Sequence, residues 1–420
     1  MNRSILMVVL IASFAASTGA SSSSRITLNP VSSQPPVDAA QQPGAQQPLA
    51  PGFQQAASLP TITITPGIPE LVRVEYLGNG TIEAAHALIL VPKAKSGIAR
   101  TLALAQLTVT RTFAARPGLA EVDISIYQRE GYAGFGGPSP LMTVSVPKAR
   151  LQGFSSLKLN AVDEYDRLWI NPVKSPLPPQ VEASGETPVG VPEVAPSFVG
   201  SPQDQAKEKA EQQQATRSGS TRGGSYFQGD PNRAMAALTI DDAVHPLYAP
   251  LILDALHRTG GKATFFVVGR NVEAYPYFVR DLVKDGHEIA NHTFHHVRLV
   301  GLSTAQIRDE LESTNKLIRA ISGEPVRFFR PPGGRYSKDV LRIASSLGMT
   351  TAFWTNDPAD FNNVGAKVLE QRFLKYLRKG GIVLLHDNAQ QTAPLLADFV
   401  NDAKGLGIKL VTLETLSGGK

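Results

Sequence analysis

The chain has 420 residues, 42% of them hydrophobic, with a formal net charge of +5 and no cysteine. That length holds two domains with linkers, and the apolar fraction is enough for packed cores. Missing cysteines exclude disulfides and cysteine-linked lipid. A small basic excess without interleaved basic and aromatic runs excludes nucleic acid as a partner and fits an anionic surface such as a cell wall.

In chain order, residues 1–20 read as a secretory signal. Arg3 gives the positive end, Ile5 to Ala16 the apolar stretch, and Thr18-Gly19-Ala20 a small-residue cleavage site. The apolar stretch is short for a bilayer, so no stable membrane span is expected after cleavage. An exported chain without disulfides points to a secreted or cell-envelope location (periplasm or cell wall) in a bacterium. The Ser/Gln/Pro-rich residues 21–60 are expected to be a disordered tether.

Residues 61–171 read as a small α+β domain. Thr61 to Thr65 and Leu71 to Tyr76 alternate like strands, and Asn79-Gly80 marks a turn. Val122, Ile124 and Ile126 define a half-buried strand, with Leu141 to Val146 as its expected neighbour. Residues 96–114 fit either a helix on Leu102, Gln106 and Val109 or a strand on the Thr-rich Thr108 to Thr112. Tyr132 and Phe135 in a Gly-rich loop are open between stacking on sugars and anchoring the loop. Nothing in residues 61–171 points to a function. Residues 172–230 read as a Pro/Gln-rich linker with a helical patch at 204–215.

From 231 to 420 strands and helices alternate. Strands are expected at Ala234 to Ile240, Ala263 to Val268, Glu288 to Ala290, Val326 to Phe329, Thr351 to Trp354, Ile382 to Leu385 and Lys409 to Thr412. Helices are expected at Leu247 to Arg258, at Pro276 to Asp285, and from a Ser303/Gln306 capping box to Ile321. Roughly seven strands with helices between them predict an α/β fold, a distorted (β/α)7-type barrel preceded by the small α+β domain.

Asp241-Asp242, His292, Arg330, Asp357/Asp360 and His386 each lie just past the end of an expected strand, where barrels of this kind build their sites. One carboxylate and His292 with His296, four residues apart, are donors of the kind that hold a catalytic zinc with a position left open for water. His295 is rotated away from that pair. His287 and His245 read as a helix-end cap and a loop residue, His245 within reach of the site. Arg330-Pro331-Pro332-Gly333-Gly334 combines a fixed backbone with close approach, suited to aiming an N–H at a substrate oxygen.

Together these motifs resemble the polysaccharide deacetylase family, which shares the NodB homology domain and is grouped as carbohydrate esterase family 4. The resemblance covers roughly residues 233–416, with the motifs in family order. Thr239-Ile240-Asp241-Asp242-Ala243 is similar to T-F-D-D-G, His292-Thr293-x-x-His296 to H-[ST]-x-x-H and Arg330-Pro331-Pro332 to R-x-P. Asp360-Phe361 stands for D-W, and Leu384-x-His386 for L-x-H. The resemblance implies that Asp242, His292 and His296 bind a divalent metal, Zn2+ first, with Co2+ or Ni2+ as alternatives. It implies Asp241 as general base oriented by Arg330, and His386 as general acid tuned by Asp360. The Gly333 N–H serves the oxyanion, and Pro332, Phe361 and Leu384 line the substrate. Ala243, Ile240, Gly333 and Phe361 depart from the family's Gly, Phe, Tyr and Trp.

The implied activity is removal of N-acetyl groups from an amino-sugar polymer, with peptidoglycan or poly-N-acetylglucosamine favoured over chitin. The alternatives are an O-acetyl esterase on xylan or another acetylated glycan, and a non-catalytic wall-polysaccharide-binding protein. The expected partner is the acetylated polysaccharide; the sequence fixes no oligomeric state.

Overall fold

The computed structural model describes residues 59–134, 137–172, 196–218, 224–362 and 364–418. The expected signal, the tether up to residue 58, Phe135 and much of the second linker lie outside these. Among the described residues no helix is long and apolar enough to cross a membrane.

The N-terminal part is a five-stranded sheet in the order β1 to β5. β1 (Leu71–Gly78) and β2 (Glu83–Val91) form a hairpin. Its turn needs Gly80 at φ 83° and is fastened by Asn79 Oδ1, which accepts from Thr81 N and Ile82 N. Parallel β2 and β3 (Glu121–Gln128) require a crossover, and α1 (Ile98–Ala115) supplies it. The helix wins over the Thr-rich strand pattern for two reasons. Leu102, Ala105, Val109 and Phe113 form one buried stripe, and the Thr108 and Thr112 hydroxyls donate to carbonyls four residues back. β4 (Met142–Pro147) pairs antiparallel with β3; after the short α2 (Leu151–Ser155), β5 (Leu168–Ile170) pairs with β4. Thr61 contributes only an isolated bridge to Glu75, in place of the expected strand.

Next come β6 (Ser197–Phe198), α3 (Pro202–Ser218) and β7 (Ser225–Tyr226). Then the alternation begins: β8 (Met235–Ala243), α4 (Ala249–Thr259), β9 (Thr264–Val267), α5 (Gly269–Ala274), α6 (Pro276–Lys284), β10 (Glu288–Asn291) and α7 (Thr304–Ser322). β11 (Phe328–Phe329), β12 (Arg335–Tyr336), α8 (Lys338–Ser346), β13 (Thr350–Ala352) and α9 (Ala366–Lys375) follow. The chain closes with β14 (Ile382–His386), α10 (Thr392–Gly405), β15 (Lys409–Val411) and α11 (Leu413–Ser417). α7 opens on the expected capping box at Ser303 and Gln306.

The main sheet is parallel, in the order β14-β8-β9-β10-β11-β13-β7, with β15 also on β8. Thr355 and Asn356, just past β13, bond back to β14 at Ile382 and Leu384, which curls the sheet towards closure. Two-residue β7 joins β13 from inside the stretch read as linker; so short a strand carries no period to recognise. β6 pairs with β12, and α3 stays beside it through a hydrogen bond of 2.9 Å from Tyr336 Oη to Glu208.

Strand periodicity sorts the two faces. Ala237, Phe266, Ala290, Phe328, Ala352 and Ile382 pack together inside the curl, while Leu238, Phe265, Ile289, Phe329, Phe353 and Val383 face the helices. Steps of two along each strand then bring Asp241, His292, Arg330 and His386 to one end of the interior. The N-terminal sheet docks against α4 to α6. Asn79 Nδ2 donates to Leu251 O and Asp254, Ser125 meets the Tyr275 hydroxyl at 2.9 Å, Thr143 donates to Ala274 O, and Arg167 pairs with Asp281.

Candidate active site

Two consecutive aspartates cannot both face inward from a regular strand. Asp242 resolves this by taking φ 66°, at a shift in the β8–β9 register between Ile240 and Ala243. Both carboxylates therefore reach the same buried pocket, with Asp241 4% and Asp242 5% exposed.

Asp242 Oδ1 lies 3.0 Å from His296 Nε2 and 3.5 Å from His292 Nε2. Among the described residues, Asp242, His292 and His296 form the one group whose ligand atoms all lie within 4.8 Å of one another. His292 Nδ1 donates to the Arg330 carbonyl at 2.8 Å, which in the neutral ring leaves a lone pair on Nε2 facing the carboxylate. Asp242 Oδ1 is buried without a hydrogen-bond donor, while Oδ2 accepts from Asn388 Nδ2 at 3.2 Å. Acceptors converging on an orphaned oxygen fit a cation. In the metal-free protein burial works against ionising Asp242, but the charge of His296 and hydrogen bonds from protonated His292 and His296 outweigh it and hold the carboxyl well below its usual range.

Asp241 is turned the other way. Its Oδ1 accepts from Arg330 Nη1 at 2.6 Å, and Oδ2 lies 3.8 Å from His292 Nε2. The Arg330 guanidinium is fully buried and donates also to Thr239 Oγ1, Ala352 O and Phe353 O, with its plane over the Phe266 ring at 4.1 Å.

On β14, His386 Nδ1 donates to Asp360 Oδ1 at 2.7 Å; Asp360 Oδ2 accepts from His386 N and Thr392 Oγ1. The Phe361 ring meets the imidazole edge-on, 5.2 Å between centroids. Burial opposes the imidazolium, but the Asp360, Asp242 and Asp241 carboxylates raise His386 to about 10. That folded value lies above the ordinary 6.5, so the pair's contribution to stability is complete below about pH 6.5 and is lost as pH rises through about 10. Metal-free protein is therefore expected to lose melting temperature across that window more steeply than Asp360→Asn. Parallel melting curves for the two would remove the pair as the cause.

Pro332 is buried and Gly333 exposed at the mouth, with Gly333 at φ 66°. Gly334 is obligatory: a Cβ there would sit 2.7 Å from the Trp354 ring. Leu384 is buried on β14. Asp357, raised to about 6 by burial, accepts from Ala359 N. His245 and His287 stand outside the metal group. His245 N donates to Asp387, and His287 sits edge-on to Phe265. Sequence reasoning missed Asn388, Thr392 and Glu310. Only Glu310 left a signal, as an acid in the apolar stripe of α7.

This parallel curled sheet with a three-donor metal group and flanking acid–base pairs defines a metal-site hydrolase. The Polysaccharide deacetylase family model matches residues 228–352. A peptidoglycan-N-acetylglucosamine deacetylase of Bacillus cereus is 35% identical over 44% of this chain and 89% of its own length. A peptidoglycan-N-acetylmuramic acid deacetylase of Bacillus subtilis is 32% identical, covering 46% and 74%. A chitooligosaccharide deacetylase of Bradyrhizobium is 36% identical, covering 36% and 69%. The chain belongs to the polysaccharide deacetylase family, metal-dependent enzymes acting on amide bonds of acetylated sugars.

Proposed function

We propose that this protein is an exported, zinc-dependent N-deacetylase of an amino-sugar polymer, with peptidoglycan or poly-N-acetylglucosamine as substrate ahead of chitin. The observation that carries the reading is the division of labour between adjacent aspartates: Asp242 faces two imidazoles, whereas Asp241 faces Arg330. All three relatives described above are deacetylases by name, two of them of N-acetylated peptidoglycan sugars, which supports an amide over an ester.

In this reading Asp242, His292 and His296 hold the ion. A divalent metal there supplies Lewis acidity, activating water near neutral pH and polarising the acetamide carbonyl. Asp241 keeps Oδ2 for the proton of the attacking water, because Arg330 occupies Oδ1. The Gly333 N–H donates to the oxyanion, and Pro332, Phe361 and Leu384 shape the groove. His386, protonated and steered by Asp360 through Nδ1, delivers a proton from Nε2 to the departing amine.

The test is acetate release from acetylated peptidoglycan, poly-N-acetylglucosamine, chitin oligomers and acetylated xylan. Chelation should abolish release and Zn2+ restore it, with Asp242→Asn inactive. Release from xylan alone would convert the reading to an O-acetyl esterase. Binding to insoluble glycan without any release would convert it to a wall-binding protein.

A further inference from the structure

Helix α7 carries a buried acid whose carboxylate bonds to the ligand loop. Glu310 is 3% exposed, on the face of α7 shared with Ile307, Leu311, Thr314 and Ile318. A carboxylate survives in such a stripe only when its oxygens are engaged. Oε2 accepts from the backbone N–H of Phe294 at 3.0 Å and of His295 at 2.9 Å, and Oε1 accepts from His295 Nδ1 at 2.6 Å. A second fastening lies beside it. Asn291 Oδ1 accepts from Thr293 N, and Asn291 Nδ2 donates to Asn315 Oδ1, each at 2.8 Å.

The loop needs this restraint. Thr293 and His296 take φ 66° and 58°, a left-handed conformation that side-chain-bearing residues keep only where surroundings impose it. Those two residues set how the His292 and His296 rings stand, 4.9 Å apart between centroids and both towards Asp242. Gly269 leaves space for the loop from the other side: a Cβ there would meet Phe294 and Thr314 atoms at 2.6 Å.

We infer that Glu310 is a positioning residue for the metal site, its carboxylate holding the amides of Phe294 and His295 so that the two histidine Nε2 atoms converge on Asp242. The inference rests on the metal-site reading above; Glu310 itself touches no reacting atom.

The experiment measures Zn2+ affinity of the full chain by competition with a chromophoric chelator, alongside melting of the metal-free protein. Glu310→Met fills the stripe but accepts nothing, and is expected to weaken Zn2+ about 10- to 100-fold. Glu310→Gln keeps one oxygen for both amides, and should recover most of the affinity. A folded Glu310→Met with Zn2+ affinity within about threefold of wild type overturns the inference, as does a Gln variant no tighter than Met. If Glu310→Met does not fold, Glu310→Asp takes its place: weakened Zn2+ supports the inference, unchanged Zn2+ overturns it. Wild type that binds no Zn2+, or Asp242→Asn that binds as tightly, overturns the metal-site reading and this inference with it.

Discussion

Asp241→Asn is expected to lower acetate release by about 10²- to 10⁴-fold while Zn2+ stays bound. The side chains are nearly identical in shape, and an amide oxygen can still accept from Arg330 at the Oδ1 position, 2.6 Å away in the native protein. Folding and the metal group should survive, because Asp242, His292 and His296 do not depend on Asp241 for a hydrogen bond. What disappears is a proton acceptor beside the attacking water. Steady-state kinetics with Zn2+ titration checks both halves. Loss of Zn2+ together with activity would instead make Asp241 a ligand, and unchanged kinetics would move the base elsewhere, with Asp357 the next carboxylate to examine.

Arg330→Met should cost about 3–5 kcal/mol of stability. The guanidinium is wholly buried and is the cation beside Asp241; its removal strands that carboxylate and takes the donor from the Ala352 and Phe353 carbonyls. Burial alone would pull the guanidinium down, and the facing carboxylate opposes this, so each charge keeps the other tolerable. Denaturant melting measures the loss, and Arg330→Lys should fall between, since an ammonium supplies charge but not the four-acceptor reach. A loss under about 1 kcal/mol would mean that the pocket admits water around Asp241.

Much of this was legible because the barrel repeats a simple pattern. Apolar runs ending in polar residues gave β8, β9, β10, β14 and β15 close to their observed bounds, and strand ends gathered Asp241, His292, Arg330 and His386. Legibility failed where pairing, not period, makes the element. Ser225–Tyr226 is a strand only because β13 lies alongside, and Thr61 is limited to a bridge. Thr108 and Thr112 left residues 96–114 open between helix and strand, because hydroxyl-to-carbonyl bonding inside a helix leaves no trace in strand propensity. Adjacent Asp241 and Asp242 could be separated by family likeness, but the left-handed turn that aims both inward is a property of the folded loop. Glu310 shows the same limit from the other side: its address on α7 was visible, its partners fifteen and sixteen residues upstream were not.

The docking of the N-terminal sheet sets a practical limit on trimming. Tyr275 and Tyr277 are buried, and Ala274 O and Leu251 O accept from Thr143 and Asn79 across the junction. A fragment begun at 224 would turn those aromatic rings into solvent-facing surface. The piece to express, crystallise or graft onto another anchor therefore keeps the β1–β5 sheet, and a shorter one trades size for stickiness.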